Sequence, residues 1–93
     1  MTETEAMLET QLPSDAVADL VEYLVASLVD HPEELSIDVT DRDDNSCLIE
    51  LGVAEDDIGK IIGRRGRVIK AIRTLAYAMG TRYNLSTEVE VLG

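Results

Sequence analysis

Apolar and polar positions alternate along the chain with two different periods, and each change of period marks an element. Val17, Leu20, Val21, Leu24 and Leu28 recur at three- and four-residue spacing, which predicts one buried helical face. Pro13-Ser14-Asp15 marks the start, with Ser14 expected as N-cap and Asp15 favourable in the first turn. Pro32 sets the end near Asp30 or His31, because it cannot continue a helix. The period then becomes two. Leu35, Ile37 and Val39 alternate with polar residues, as do Cys47, Ile49, Leu51 and Val53, on either side of the turn-rich run Asp41-Arg42-Asp43-Asp44-Asn45. Two such strands joined by a short polar loop predict an antiparallel hairpin.

Helical spacing returns at Glu55-Asp56-Asp57, three carboxylates suited to a helix N-terminus, followed by an apolar face of Ile58, Ile61 and Ile62. Gly63-Arg64-Arg65-Gly66 interrupts it. A further helix begins near Arg67, with Val68, Ile69, Ile72, Leu75, Ala76 and Met79 on its buried side and Gly80 as its expected stop. From Tyr83 the pattern is strand-like, with Leu85, Thr87, Val89 and Val91 on one face. The order is α-β-β-α-α-β. A last strand reached through two helices can lie parallel to the second strand, so the expectation is an α+β fold whose mixed three-stranded sheet is covered on one face by three helices.

A chain of 93 residues with 45% hydrophobic and 29% charged residues is a globular domain with a small core, which a partner or second subunit would help. One cysteine, Cys47, excludes an intramolecular disulfide and a multi-cysteine zinc site; one histidine, His31, argues against a His-based metal centre or a Ser/His/Asp triad. No metal or cofactor is expected. No apolar run reaches the roughly 18 residues of a membrane span. The acidic Met1-Thr2-Glu3-Thr4-Glu5 lacks the positive charge of a signal peptide, so a cytoplasmic protein without membrane contact is expected. Residues 1–11 are expected to be an acidic flexible tail, and residues 12–93 a single domain.

Net charge is −11, which by itself opposes nucleic-acid binding, but its distribution reverses that inference. No Asp or Glu occurs from Ile58 to Thr87, while Lys60, Arg64, Arg65, Arg67, Lys70, Arg73 and Arg82 all do. That stretch carries +7 and the remainder −18. An anion docked on it feels mainly the near charges, since salt screens beyond about 8 Å. Within it, two glycines flank two arginines between short amphipathic helices. Glycines let a ligand backbone approach closely, and the free N–H groups opening the next helix attract anions. The arrangement suits a polyanion backbone, as in the helix–Gly-x-x-Gly–helix clamp that grips about four nucleotides.

Other candidate chemistry fades on inspection. Asp41-x-Asp43-x-Asn45 opens like a calcium loop, but the sixth position is Ser46 and the twelfth Gly52. Glu55, Asp56 and Asp57 are accounted for as first-turn carboxylates, His31 as a solvated helix-end residue, and Cys47 as a small inward strand residue. Only Tyr23, Tyr77 and Tyr83 are aromatic, too few for the stacking platform of an RRM or OB surface. The groove floor is expected to be aliphatic, from some of Ile58, Ile61, Ile62 and strand residues such as Leu48.

Val53 to Gly66, read with Ala71-Ile72-Arg73-Thr74-Leu75, closely resembles the small bacterial single-KH proteins of the KhpA type. The resemblance runs from about Val17 to Val91 and includes Leu20-Val21-Glu22-Tyr23-Leu24-Val25 and Asp30-His31-Pro32-Glu33. It implies a type II-like KH fold and binding of single-stranded RNA without enzymatic activity. It further implies an RNA-chaperone or post-transcriptional role linked to cell elongation and division, and pairing as a homodimer or with a larger KH-containing RNA-binding protein. Arg64 stands where such proteins often carry Lys, and the acidic tail is longer than usual. The RNA-binding candidates are Ile58, Lys60, Ile62, Gly63, Arg64, Arg65, Gly66, Arg67, Lys70 and Arg73. The alternative is a protein–protein adaptor that uses the basic helical edge.

Overall fold

A computed structural model describes residues 12–93; the expected acidic tail, residues 1–11, lies outside the described residues. Helix α1 spans Pro13–Leu28, and strands β1 (Ser36–Arg42) and β2 (Ser46–Gly52) form the hairpin. A 3₁₀ turn at Glu55–Asp57 leads into α2 (Ile58–Ile62), a second at Arg64–Gly66 leads into α3 (Arg67–Thr81), and β3 (Ser86–Val91) closes the chain. The sheet order is β1-β2-β3. β1 and β2 pair antiparallel, with Val39 opposite Ile49, and β2 and β3 pair parallel, with Ile49 opposite Val89. The expected α+β order and mixed sheet are present.

Period-two burial puts Cys47, Ile49, Leu51 and Val89 on the helix-covered face, where they meet Val17, Val21, Val25, Ile61, Ile69, Ile72 and Ala76 in one cluster. Cys47 is wholly buried, and burial pushes its thiol pKa up, with the nearby Asp41 carboxylate adding to the shift. The opposite sheet face carries Asp38, Glu50 and Glu90 in one cross-strand row.

Four sequence expectations are corrected. Ser14 is not the N-cap of α1: Leu12 caps it, Pro13 occupies the first turn, and Asp15 Oδ2 accepts from the Leu12 N–H at 3.3 Å. The buried stripe of α1 is rotated toward Ala18 and Val25, which leaves Leu20 and Leu24 half-buried and Leu28 exposed. Leu75 is exposed too, because α3 seats Ile69, Ile72 and Ala76 against the sheet. Gly80 does not stop α3. It lies within the helix, where a Cβ would stand 2.6 Å from the Leu85 carbonyl oxygen and 2.7 Å from Thr87 Cγ2. The reversal into β3 uses Asn84, at φ 56°.

Candidate nucleic-acid interface

The segment between α2 and α3 is a short turn built on positive dihedrals. Gly63 ends α2 at φ 76°, ψ 170°, its N–H bonded to the Gly59 carbonyl at 2.8 Å. A side chain there is excluded twice, by that φ and by contact: a Cβ would lie 2.4 Å from Val68 Cγ2 and 2.8 Å from the Val68 nitrogen. Arg65 and Gly66 are both left-handed, at φ 58° and 73°. The turn therefore brings the chain round within four residues and leaves both arginine side chains in solvent. Gly66 is also the N-cap of α3, and it offers no side-chain acceptor to the first N–H groups of that helix. An oxyanion at this spot meets the positive end of a 15-residue helix and nearby guanidinium groups.

The ten sequence-predicted residues do not form one uniform patch. Arg64, Arg65, Arg67 and Lys70 are exposed and make no ion pair among the described residues, so their charge is available to a ligand. Lys60 is engaged: its ammonium bonds Asp30 Oδ2 and lies 3.8 Å from Asp57 Oδ1. Arg73 is engaged differently, its Nε donating to the Val89 carbonyl at 3.0 Å. Ile58 and Ile62 are half-buried beside the loop, whereas Ile61 is fully buried in the core. Leu48 does not join them. It sits on the opposite sheet face, in register between Thr40 and Glu88.

Further along α3 lies a depression that the sequence did not disclose. Between α3 and the outer edge of β3 lies a hollow of about 400 Å³ lined by Arg73, Tyr77, Thr87, Glu88, Val89 and Glu90. Its sequence signal was available, since Arg73 and Tyr77 are four residues apart and so share a helix face. Arg64, Arg65, Arg67 and Lys70 lie at the loop and along α3, whereas Asp38, Glu50 and Glu90 form the row on the open sheet face. Among the described residues, His31, Glu33 and Glu34 bring potential ligand atoms within 4.8 Å of one another; His31 Nδ1 and Glu33 Oε1 form a half-exposed pair at 3.5 Å, as solvated helix-end groups do. No described helix is long and apolar enough to cross a membrane.

A Gly-x-x-Gly turn between two helices, packed on adjacent parallel strands in the order α-β-β-α-α-β, defines a KH domain of the type II arrangement. The chain belongs to the KhpA/KhpB KH-domain family, whose sequence profile matches residues 18–91. It is 43% identical over 74 residues to the RNA-binding protein KhpA of Borreliella burgdorferi, covering 80% of this chain and 89% of that one. It is 44% identical over 73 residues to the protein of the same name from Oceanobacillus iheyensis, covering 78% and 96%. The fold also matches crystal structures of Era. One, from Aquifex aeolicus and bound to GDP and aluminium fluoride, superposes with a TM-score of 0.60 at 21% identity. The other, in complex with a nucleotide and a segment of 16S ribosomal RNA, has a TM-score of 0.62 at 20% identity. This chain is 88% covered by the first match but spans 32% of the Era chain. The family is one of binding modules, not of enzymes.

Proposed function

We propose that this protein binds single-stranded RNA without catalysing a reaction, gripping the phosphate backbone at Gly63-Arg64-Arg65-Gly66. The observation that carries the reading is the loop itself: a Cβ-free turn whose arginines are unpaired and whose following helix opens uncapped. Arg67 and Lys70 extend the cationic track along α3. The half-buried Ile58 and Ile62 offer aliphatic contact beside it, and Arg73 walls the adjoining hollow. Lys60 acts mainly on the protein, through Asp30 and Asp57. The relatives named RNA-binding proteins support the ligand class.

As the wider role we propose an RNA chaperone or post-transcriptional regulator in the cytoplasm, connected with cell elongation and division. Working alone, one site of about four nucleotides has modest affinity, and joining two can raise it on the order of 10²–10⁴-fold. We therefore include self-pairing, or pairing with a larger KH-containing protein, in the proposal. The test is filter binding to short single-stranded RNA across a salt series. Affinity should fall with log salt at a slope near −0.7 per phosphate neutralised. Absence of RNA binding, together with salt-sensitive capture of an acidic protein by the same edge, would replace this reading with the adaptor.

A further inference from the structure

The two outer edges of the sheet differ. At β3, Arg73 Nε already occupies the Val89 carbonyl, which an added strand would have to displace. At the other edge β1 pairs with β2 alone, in unbroken register from Ser36 with Gly52 to Arg42 with Ser46, with no proline and no bulge. Among the described residues no hydrogen bond reaches the backbone groups that β1 turns outward. A strand edge left in this state is a template for a further strand.

The side chains of β1 are unfinished on both faces. On the helix-covered face Ile37 lies opposite Leu51, and Val39 opposite Ile49. Leu51 and Ile49 are wholly buried, whereas Ile37 and Val39 are only half-buried. Apolar surface thus stays in water at the rim of the core, where one more strand would cover it. On the open face Asp38 stands directly opposite Glu50, and Glu50 opposite Glu90. Like charges so placed repel. None of the three has an ion-pair partner among the described residues, and Arg42 is engaged with Glu88 at 3.5 Å.

We propose that β1 accepts, as a fourth strand, an extended segment of another protein in which apolar and cationic residues alternate. Successive side chains of a strand point to opposite faces. A segment laid beside β1 therefore sets alternate residues next to Ile37 and Val39, and those between them next to Asp38. Apolar residues in the first set extend the core. A lysine or arginine in the second supplies the counter-charge that the acidic row lacks. Backbone pairing gives affinity, and the alternation gives specificity.

The same charges select against other occupants. In a second copy, Asp38, Asp41, Asp43 and Asp44 outweigh Arg42, so two such edges repel. The chain's own Glu3, Glu5 and Glu9 are repelled in the same way, and so are RNA phosphates. No residue of this edge belongs to the proposed RNA site, so the inference stands or falls independently of that reading.

The experiment titrates the full chain into a fluorophore-labelled eight-residue peptide of alternating valine and lysine, blocked at both ends. Two controls share its side chains: a block peptide of four valines then four lysines, and the alternating peptide methylated on every backbone nitrogen. The alternating peptide should bind, and each control should bind at least tenfold more weakly. Hydrogen exchange should show the outward amides of β1 gaining protection from the peptide, and those of α3 gaining none. Asp38→Lys should weaken binding tenfold or more. Its side chain is exposed and faces another carboxylate, so this variant should melt no lower than the parent. Equal binding of the alternating and block peptides would reduce the contact to charge alone and overturn the proposal, as would unchanged binding by Asp38→Lys. Outward β1 amides protected in the protein alone would also overturn it. Protection that grows with protein concentration would give the edge to a second copy, and protection at every concentration to the chain's own N-terminal residues.

Discussion

The carboxylate of Asp57 and the backbone of His31 are joined across 26 residues: Asp57 Oδ2 accepts the His31 N–H at 3.0 Å, and Oδ1 accepts that of Asp30 at 3.0 Å. Asp57 is fully buried, and it forms the last residue of the turn that launches α2. One side chain thus ties the exit of α1 to the entry of the helix that carries the loop. Asp57→Ala would leave two N–H groups short of an acceptor where neutral–charged hydrogen bonds contribute about 1.5–3 kcal/mol each. Both N–H groups are only part-buried, so water recovers some of that sum, and we expect a loss of about 2–4 kcal/mol in a urea melt, with Asp57→Asn less costly because one carbonyl acceptor survives. Lys60→Ala should cost less than Asp57→Ala, since its pair with Asp30 is largely exposed and Asp57, 3.8 Å away, keeps its two backbone donors.

Replacing Arg64 and Arg65 together by Asp should abolish RNA binding while leaving the melting curve unchanged. Both side chains are exposed and unpaired, so no folded-state contact is lost. Asp tolerates the left-handed conformation that residue 65 adopts at φ 58°. Each lost charge-assisted hydrogen bond is about 1.5–3 kcal/mol, and the new carboxylates add repulsion. Filter binding and a thermal melt on the same sample decide it. Normal RNA binding by a normally folded variant would remove the loop from the site.

The order of elements and the loop were legible because they depend on local signals: period, glycine spacing and a run free of acid. What was not legible depends on packing between distant elements. Asp57 reads as an ordinary first-turn carboxylate until α1 is seen ending beside it. Gly80 reads as a helix stop, yet its neighbours are Leu85 and Thr87, brought there by the return of β3. Lys60 and Arg73 read as two more ligand cations, and tertiary partners claim both. Leu48 follows the alternation of its own strand, which sends it to the face away from the loop. Periodicity says which residues share a face, but not which face meets the site.

The two loop glycines should respond differently to alanine. At Gly63 a Cβ collides with Val68 side chain and backbone at 2.4–2.8 Å, and relief would require moving the first turn of α3. At Gly66 the nearest atoms are 3.9 Å away, so the cost is that of a left-handed alanine, about 1–2 kcal/mol. Gly63→Ala should therefore lower the melting temperature more than Gly66→Ala. Gly66→Ala should retain the fold and weaken RNA mainly by crowding the phosphate path. Equal destabilisation by the two would contradict the packing assigned to Val68.

Cys47 should be chemically quiet and should give alkaline stability a measurable slope. Its side chain is wholly buried among apolar residues, so a thiol reagent should label the native protein slowly and the urea-unfolded protein at once. Burial favours the neutral thiol and raises its pKa above the unfolded value, which is about 8.5. Below that value both states hold the proton, and stability does not depend on it. As pH rises through it, the unfolded chain releases the proton first. It then binds fewer protons than the folded protein, so stability falls until the raised folded pKa is passed. Cys47→Val removes the titrating group at a neutral-pH cost of at most about 1–2 kcal/mol. The stability difference between parent and variant should be constant up to about pH 8 and should shift in favour of the variant above it. A difference that stays flat to pH 10 in paired urea melts, or rapid labelling of the native thiol, would show that Cys47 reaches solvent.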